Sequence, residues 1–176
     1  IMTFKERLQE KTQLTQEQFL ERFKPPGIEH YVYDKAIFGS FKVKSYYARS
    51  REKVTRIAEH FISRLNRKIH GNRHIRYNVS LQIICVIEPS GSDNFHFHCL
   101  FLLPDEIRAL ELFENKIRDS FLELDNVVKS RSNKEPNLKR VESNLDFQRA
   151  YSYCFKDLNK MYPYNSECVH FTFVRT

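Results

Sequence analysis

Tryptophan is absent, glycine occurs four times and proline six times in 176 residues, and no apolar run approaches the roughly 20 residues that a membrane-spanning helix needs. No ATP-binding motif, internal repeat or low-complexity tract is present, so a nucleotide-driven motor and a repeat array are both excluded as readings of these residues. Cysteine is sparse: Cys85, Cys99, Cys154 and Cys168 lack the paired spacing of a metal knuckle, and no secretory leader precedes them. A reduced, intracellular (cytoplasmic) protein with no membrane partner is the expectation.

What is present is a hydrophobic share of 41%, aromatics at 14%, and 29 Lys and Arg against 22 Asp and Glu, a net charge of +7. Such a chain can bury a core and is not disordered, and its basic excess suits a polyanionic partner without naming one. Residues 3–24 have helix-forming polar sequence and stop at Pro25, Pro26 and Gly27, which predicts an N-terminal helical extension over residues 1–35 ahead of a main domain over 36–176.

Within that domain, alternation at Phe41, Lys42, Val43 and Lys44 predicts a first strand over 36–47. Val54, Ile57, Ala58, Phe61, Ile62, Leu65 and Ile69 keep to helical steps, with Ser50 placed to cap and Gly71 to terminate. The other face of that helix is basic, with nine Lys or Arg between Arg49 and Arg76. A strand over 76–88 and a polar turn lead into a second strand, NFHFHCLFLL, forming a hairpin. Pro104 and Asp105 are expected to open a helix that buries Ile107, Leu110, Phe113, Ile117, Phe121 and Leu124. Residues 129–140 read as a polar, basic loop, Ser143 and Asp146 as the cap of a helix running to about Lys160, and CVHFTFVRT as a closing strand. The order predicts an α+β fold: a central antiparallel β-sheet with helices packed on its faces.

In the histidine strand, His96 and His98 project to one side while Phe95, Phe97, Cys99 and Phe101 project to the other. Burying two neutral rings costs on the order of 1–3 kcal/mol each unless they are satisfied. Each ring could bond a neighbouring carbonyl, or both could hold a cation. Glu88, at the end of the preceding strand, would be the third ligand, and it shares their face only if it lies opposite an even-numbered position such as His96. That register also sets Cys85 opposite Cys99. Two His and one carboxylate suit Mn²⁺, Mg²⁺ or Zn²⁺ used as a Lewis acid, and also a non-haem iron oxygenase, although the helix-rich pattern does not suit the usual oxygenase barrel.

On the last helix, Phe147, Tyr151, Cys154, Phe155 and Leu158 share one side, and Arg149, Tyr153, Lys156 and Lys160 the other. Tyr151 is expected in the core. Tyr153 could be an ordinary exposed phenol, or a nucleophile whose anion is favoured by neighbouring cations.

FHFHCLFLL resembles the His-hydrophobic-His strand of the HUH endonucleases, YCFKDLNK resembles the tyrosine-x-x-lysine helix of their single-tyrosine, replication-initiator branch, and RLNRKIHG resembles the helix end before the central strand in bacterial mobile-element members. The resemblance implies a divalent metal (Mn²⁺ or Mg²⁺, with Zn²⁺ as a further candidate) held by Glu88, His96 and His98, and single-stranded DNA or an origin hairpin as substrate. Tyr153 would be the nucleophile assisted by Lys156, with Arg131, Lys134, Arg149 and Lys160 as DNA contacts and the basic residues of the 129–140 loop and of the 49–76 helix as further phosphate contacts. It implies nicking and rejoining through a 5′-phosphotyrosine link, the chemistry that starts rolling-circle replication, with any helicase supplied separately. A transposase or relaxase of similar fold, and a non-catalytic single-strand-binding domain, are the alternatives.

Overall fold

The computed structural model describes residues 35–77, 79–90, 94–129, 135–155 and 169–172. Residues 1–34 of the expected N-terminal extension over 1–35 lie outside the described residues.

The elements in chain order are β1 (Ala36–Phe41), α1 (Ser45–Ala48), α2 (Arg51–His70), α3 (Asn72–Tyr77), β2 (Ile83–Ser90), β3 (Asn94–Leu102), α4 (Leu110–Leu122), β4 (Asn137–Val141), α5 (Asn144–Phe155) and β5 (Val169–Thr172). The strands form one antiparallel sheet in the order β4-β1-β3-β2-β5. The α+β architecture expected from the sequence is therefore present, with helices on both faces of the sheet.

One face carries the main core. Ile37 and Phe41 of β1, Ile83, Cys85 and Ile87 of β2, and Phe97, Cys99 and Phe101 of β3 are all buried there against α2 and α4. Phe61 of α2 and Phe121 of α4 meet Phe41 at centroid distances of 5.7 Å from each other and 5.0 Å each from the Phe41 ring. Aromatic rings in such tilted and edge-on packings contribute about 0.5–1.5 kcal/mol per pair beyond the area they bury. Gly39 has no side chain for a packing reason: a Cβ would stand 2.5 Å from the Phe41 ring and 2.9 Å from Leu138 Cδ2. Cys85 and Cys99 sit opposite each other in this core, and burial, then the neighbouring Cys85 thiol, pushes the Cys99 thiol well above its usual range. Both sulfurs are buried core groups, opposite each other as the register argument requires.

α2 starts and stops where its sequence says. Ser50 Oγ accepts from Lys53 N–H at 3.3 Å, and Gly71 takes φ 55°, a left-handed value that a side chain resists. Asn66, on its inner face and 1% exposed, accepts from the backbone N–H of Leu81 at 2.6 Å and donates to Ile62 O at 3.0 Å, which fixes the helix to the chain entering β2. α5 is capped as expected, with the backbone N–H of Asp146 donating to Ser143 Oγ at 3.1 Å.

Several boundaries differ from the sequence reading. β1 ends at Phe41 rather than at 47, because the chain turns into α1 after Val43 makes an isolated bridge to Val127. β2 begins at Ile83 rather than 76 and runs on to Ser90, since residues 72–77 form α3. The helix expected from Pro104 begins at Leu110, as Pro104 O accepts from Ile107 N–H in a turn ahead of it. The segment read as a loop over 129–140 contains the edge strand β4, paired along β1. α5 is described to Phe155, so its expected extension to Lys160 is outside the described residues. Among the described residues no helix is long and apolar enough to cross a membrane.

Two stability predictions follow from these contacts. Asn66→Ala leaves the Leu81 N–H buried without its acceptor and is expected to cost about 1–3 kcal/mol, read from urea unfolding. Glu123 bridges Lys68 and Arg64 of α2; their hydrogen bonds, with Lys68 the larger, hold its carboxyl below the usual range. A depressed folded value stabilises above the unfolded pKa of about 4.3 and ceases to as pH falls through the folded one. The stability gap between wild type and Glu123→Gln, small because the pair is solvent-screened, is therefore expected at pH 7 and to narrow as pH falls below about 4.3 in paired thermal melts.

Candidate metal centre and tyrosine cleft

The face of the sheet opposite the main core is built by the other half of each strand's alternation. On β1 this presents Phe38 and Ser40, followed by Lys42. On β3 it presents His96, His98 and Leu100, and on β2 Ile84, Val86 and Glu88. α5 lies over this face, with Phe147 and Cys154 buried beneath it.

Glu88 is directly opposite His96 in the β2–β3 ladder, the parity that brings the carboxylate to the imidazole side. Glu88 Oε2 lies 2.7 Å from His98 Nε2 and 3.6 Å from His96 Nε2, and the two Nε2 atoms are 2.9 Å apart. Metal–ligand bonds of about 2.0–2.2 Å set neighbouring donors about 2.8–3.6 Å apart in octahedral or tetrahedral arrangements. The 2.9 and 3.6 Å separations have that spacing, and the 2.7 Å one is 0.1 Å shorter. A single His98 Nε2–H could serve Glu88 and His96 only by being shared between them, and if both nitrogens carry hydrogens the two N–H groups oppose each other. One cation satisfies all three contacts, so the residues fit a divalent metal.

The sequence reading missed Ser40. Its Oγ is 2.8 Å from His98 Nδ1, and Ser40 pairs with His98 in the β1–β3 ladder. With Nδ1–H donating to the hydroxyl, the Nε2 lone pair faces Glu88 and His96, as metal ligation requires. The pairing spans 58 residues, and only the strand register could have signalled it.

Tyr153 is 41% exposed and set against the same histidine: its ring is edge-on to His98 at 5.1 Å between centroids and edge-on to Phe38 at 5.5 Å. Phe38 in turn stacks on His98 at 5.6 Å and 10°. Tyr151, expected in the core, is half-buried and stacks on Phe147 at 6.4 Å. Tyr153, Ser40, His96 and His98 line an open cleft of about 590 Å³ together with Lys42 and Arg118. Lys42 Nζ is 3.1 Å from Glu135 Oε1, and Arg118 donates to Pro136 O at 3.1 Å, so both cations are anchored at the cleft's rim.

Of the other residues singled out in the sequence, Arg149 lies near Tyr153 along the helix and pairs loosely with Asp146 at 3.9 Å. Lys156, Lys160, Arg131 and Lys134 lie outside the described residues. The basic side of α2, considered as a further source of phosphate contacts, is not brought to the cleft: α2 packs on the opposite face of the sheet, where Arg64 and Lys68 pair with Glu123 and Arg56 with Glu52.

No family model matches the chain, and no curated protein matches it. Among solved structures, a REP-associated tyrosine transposase bound to a REP hairpin is similar at 15% identity and a TM-score of 0.44, over 74% of this chain and 70% of that one.

Metal binding is directly measurable. Mn²⁺ at about 100 times its Kd is expected to raise the unfolding free energy by about 2.7 kcal/mol in urea titrations, an effect removed by EDTA and absent in His98→Ala. Ser40→Ala is expected to weaken Mn²⁺ binding about 10- to 100-fold in calorimetry while leaving the ligands in place.

Proposed function

We propose that this chain is a metal-dependent endonuclease of the HUH type that nicks and rejoins single-stranded DNA through Tyr153. The observation that carries the proposal is the meeting of two layers at one ring. The Glu88, His96 and His98 donors come from the sheet, and a solvent-reachable phenol from α5 lies against His98 in the same cleft. Phosphoryl transfer asks for positioning and charge neutralisation more than for a strong base, and this cleft has the means for both.

Glu88, His96 and His98 would hold the divalent cation, Mn²⁺ or Mg²⁺, which when bound supplies Lewis-acid polarisation of the scissile phosphate. Ser40 keeps His98 in the tautomer that ligation needs. The Tyr153 oxygen attacks phosphorus: the tyrosine O–P bond forms, the bond from phosphorus to the 3′ oxygen breaks, the phenolic proton passes to solvent, and the departing 3′ oxygen takes up a proton. The products are a 5′-phosphotyrosine and a free 3′ hydroxyl. One ester replaces another, so the 3′ hydroxyl can reverse the step and reseal the strand.

Lys156, three residues along the chain from Tyr153, is assigned to favouring the phenolate, and Lys42, Arg118, Arg149, Arg131, Lys134 and Lys160 to phosphate contacts. No second tyrosine stands one helical turn from Tyr153 in the sequence, which favours the single-tyrosine, replication-initiator style of nicking, at a strand or origin hairpin.

Labelled single-stranded DNA incubated with the protein and Mn²⁺ is expected to give a covalent adduct that survives denaturing electrophoresis. Tyr153→Phe should abolish it and Tyr151→Phe should retain it. His96→Ala should lose the adduct yet bind the DNA within a fewfold of wild type, because phosphate contacts elsewhere carry most of the affinity. Binding without any adduct in the wild-type protein would instead identify a non-catalytic single-strand-binding domain.

A further inference from the structure

Tyr153 has a second hollow on its other side. About 170 Å³ in volume, it is lined by Phe38, Val141, Ala150 and Tyr153, with Lys139, Arg149 and other charged groups around it. The metal cleft and this pocket therefore share Tyr153 as a wall, while Phe38, stacked on His98, lines the smaller pocket.

The alternation of the two edge strands explains the lining. Phe38 pairs with Lys139 and Ala36 with Val141 in the β1–β4 ladder, so one face of this edge carries an aromatic ring, an aliphatic patch and an ammonium group in a row. Lys139 and Arg149 are exposed cations on the strand side and the helix side of the hollow, and Asp146 adds a carboxylate at its edge. An apolar hollow with an aromatic wall and flanking cations matches a nucleotide: a flat base for the interior, phosphates for the two cations, and amino groups on the base for a carboxylate.

We propose that this pocket receives the base of a nucleotide adjoining the scissile phosphate, so that the DNA strand crosses Tyr153 with its backbone on the metal side and one base lodged against Phe38. The assignment rests on the single-stranded DNA reading given above and makes Phe38 a positioning residue: its ring holds the neighbouring nucleotide and thereby sets the phosphate against the tyrosine oxygen. Lys139 and Arg149 hold the backbone on either side of that base. Stacking of one base on an aromatic side chain changes affinity by about 5- to 150-fold.

The test is photochemical and independent of cleavage. An oligonucleotide of 5-iodouracil residues is bound to the wild-type protein, irradiated, and the cross-linked peptides are mapped by mass spectrometry. A cross-link at Phe38 is expected, lost in Phe38→Leu, with oligonucleotide affinity down about fivefold or more by fluorescence anisotropy. Lys139→Ala, an exposed change that does not disturb packing, is expected to weaken binding and flatten its salt dependence. Cross-links found only outside residues 36–41, or Phe38→Leu and Lys139→Ala both binding as wild type, overturn the pocket assignment even if the Tyr153 adduct forms. A Phe38 cross-link without any adduct keeps the pocket and removes the transesterase reading. If no oligonucleotide binds, both are overturned.

Discussion

The site depends on the parity of a single hairpin. Pairing Glu88 with His96 puts the carboxylate on the imidazole side; a slip of one residue would send Glu88 into the aromatic core and bring Ile87 to the histidines. The core itself forbids the slip. Ile83, Cys85 and Ile87 are buried on the opposite face together with Phe97, Cys99 and Phe101, so a slip of β2 would turn its three core side chains away from that face at about 1.5–3 kcal/mol for each large one. Greasy residues that never touch the site hold its charged residues in place.

The division of labour between the two faces follows from this. α2 and α4 stabilise one side with aliphatic and aromatic packing, leaving the other side free to carry polar groups that a core would not tolerate. Ser40, Lys42 and Glu88 are polar positions that interrupt apolar strands, and each falls on the α5 side. Burying His98 and Glu88 almost completely is costly without compensation, and their mutual contact, Ser40 and the capacity to hold a cation offset it.

Much of this was readable from the sequence because period-two alternation and helical steps report which side a residue faces. The Glu88–His96 register, the Cys85–Cys99 pair, the capped ends of α2 and the exposure of Tyr153 on α5 all follow from local spacing. β4 was not readable: in NLKRV only Leu138 and Val141 are apolar, which is the pattern of an edge strand and equally of a loop. The start of α4 was misplaced because a proline opens a turn as readily as a helix. The basic side of α2 was given a possible role at the site because amphipathicity reports that a helix has a buried stripe, not which side of the sheet it covers. Ser40 was invisible for a simpler reason, since its meaning comes from a strand partner far away in the chain.

The three donors and Tyr153 are secured by different means. Ser40, Glu88, His96 and His98 stand on neighbouring strands in the interior of a hydrogen-bonded ladder, whereas Tyr153 rides on a helix laid over that ladder. An opening that lifts the helix would leave the three donor side chains assembled on their strands, so the donor spacing and the placement of the phenol can be lost separately.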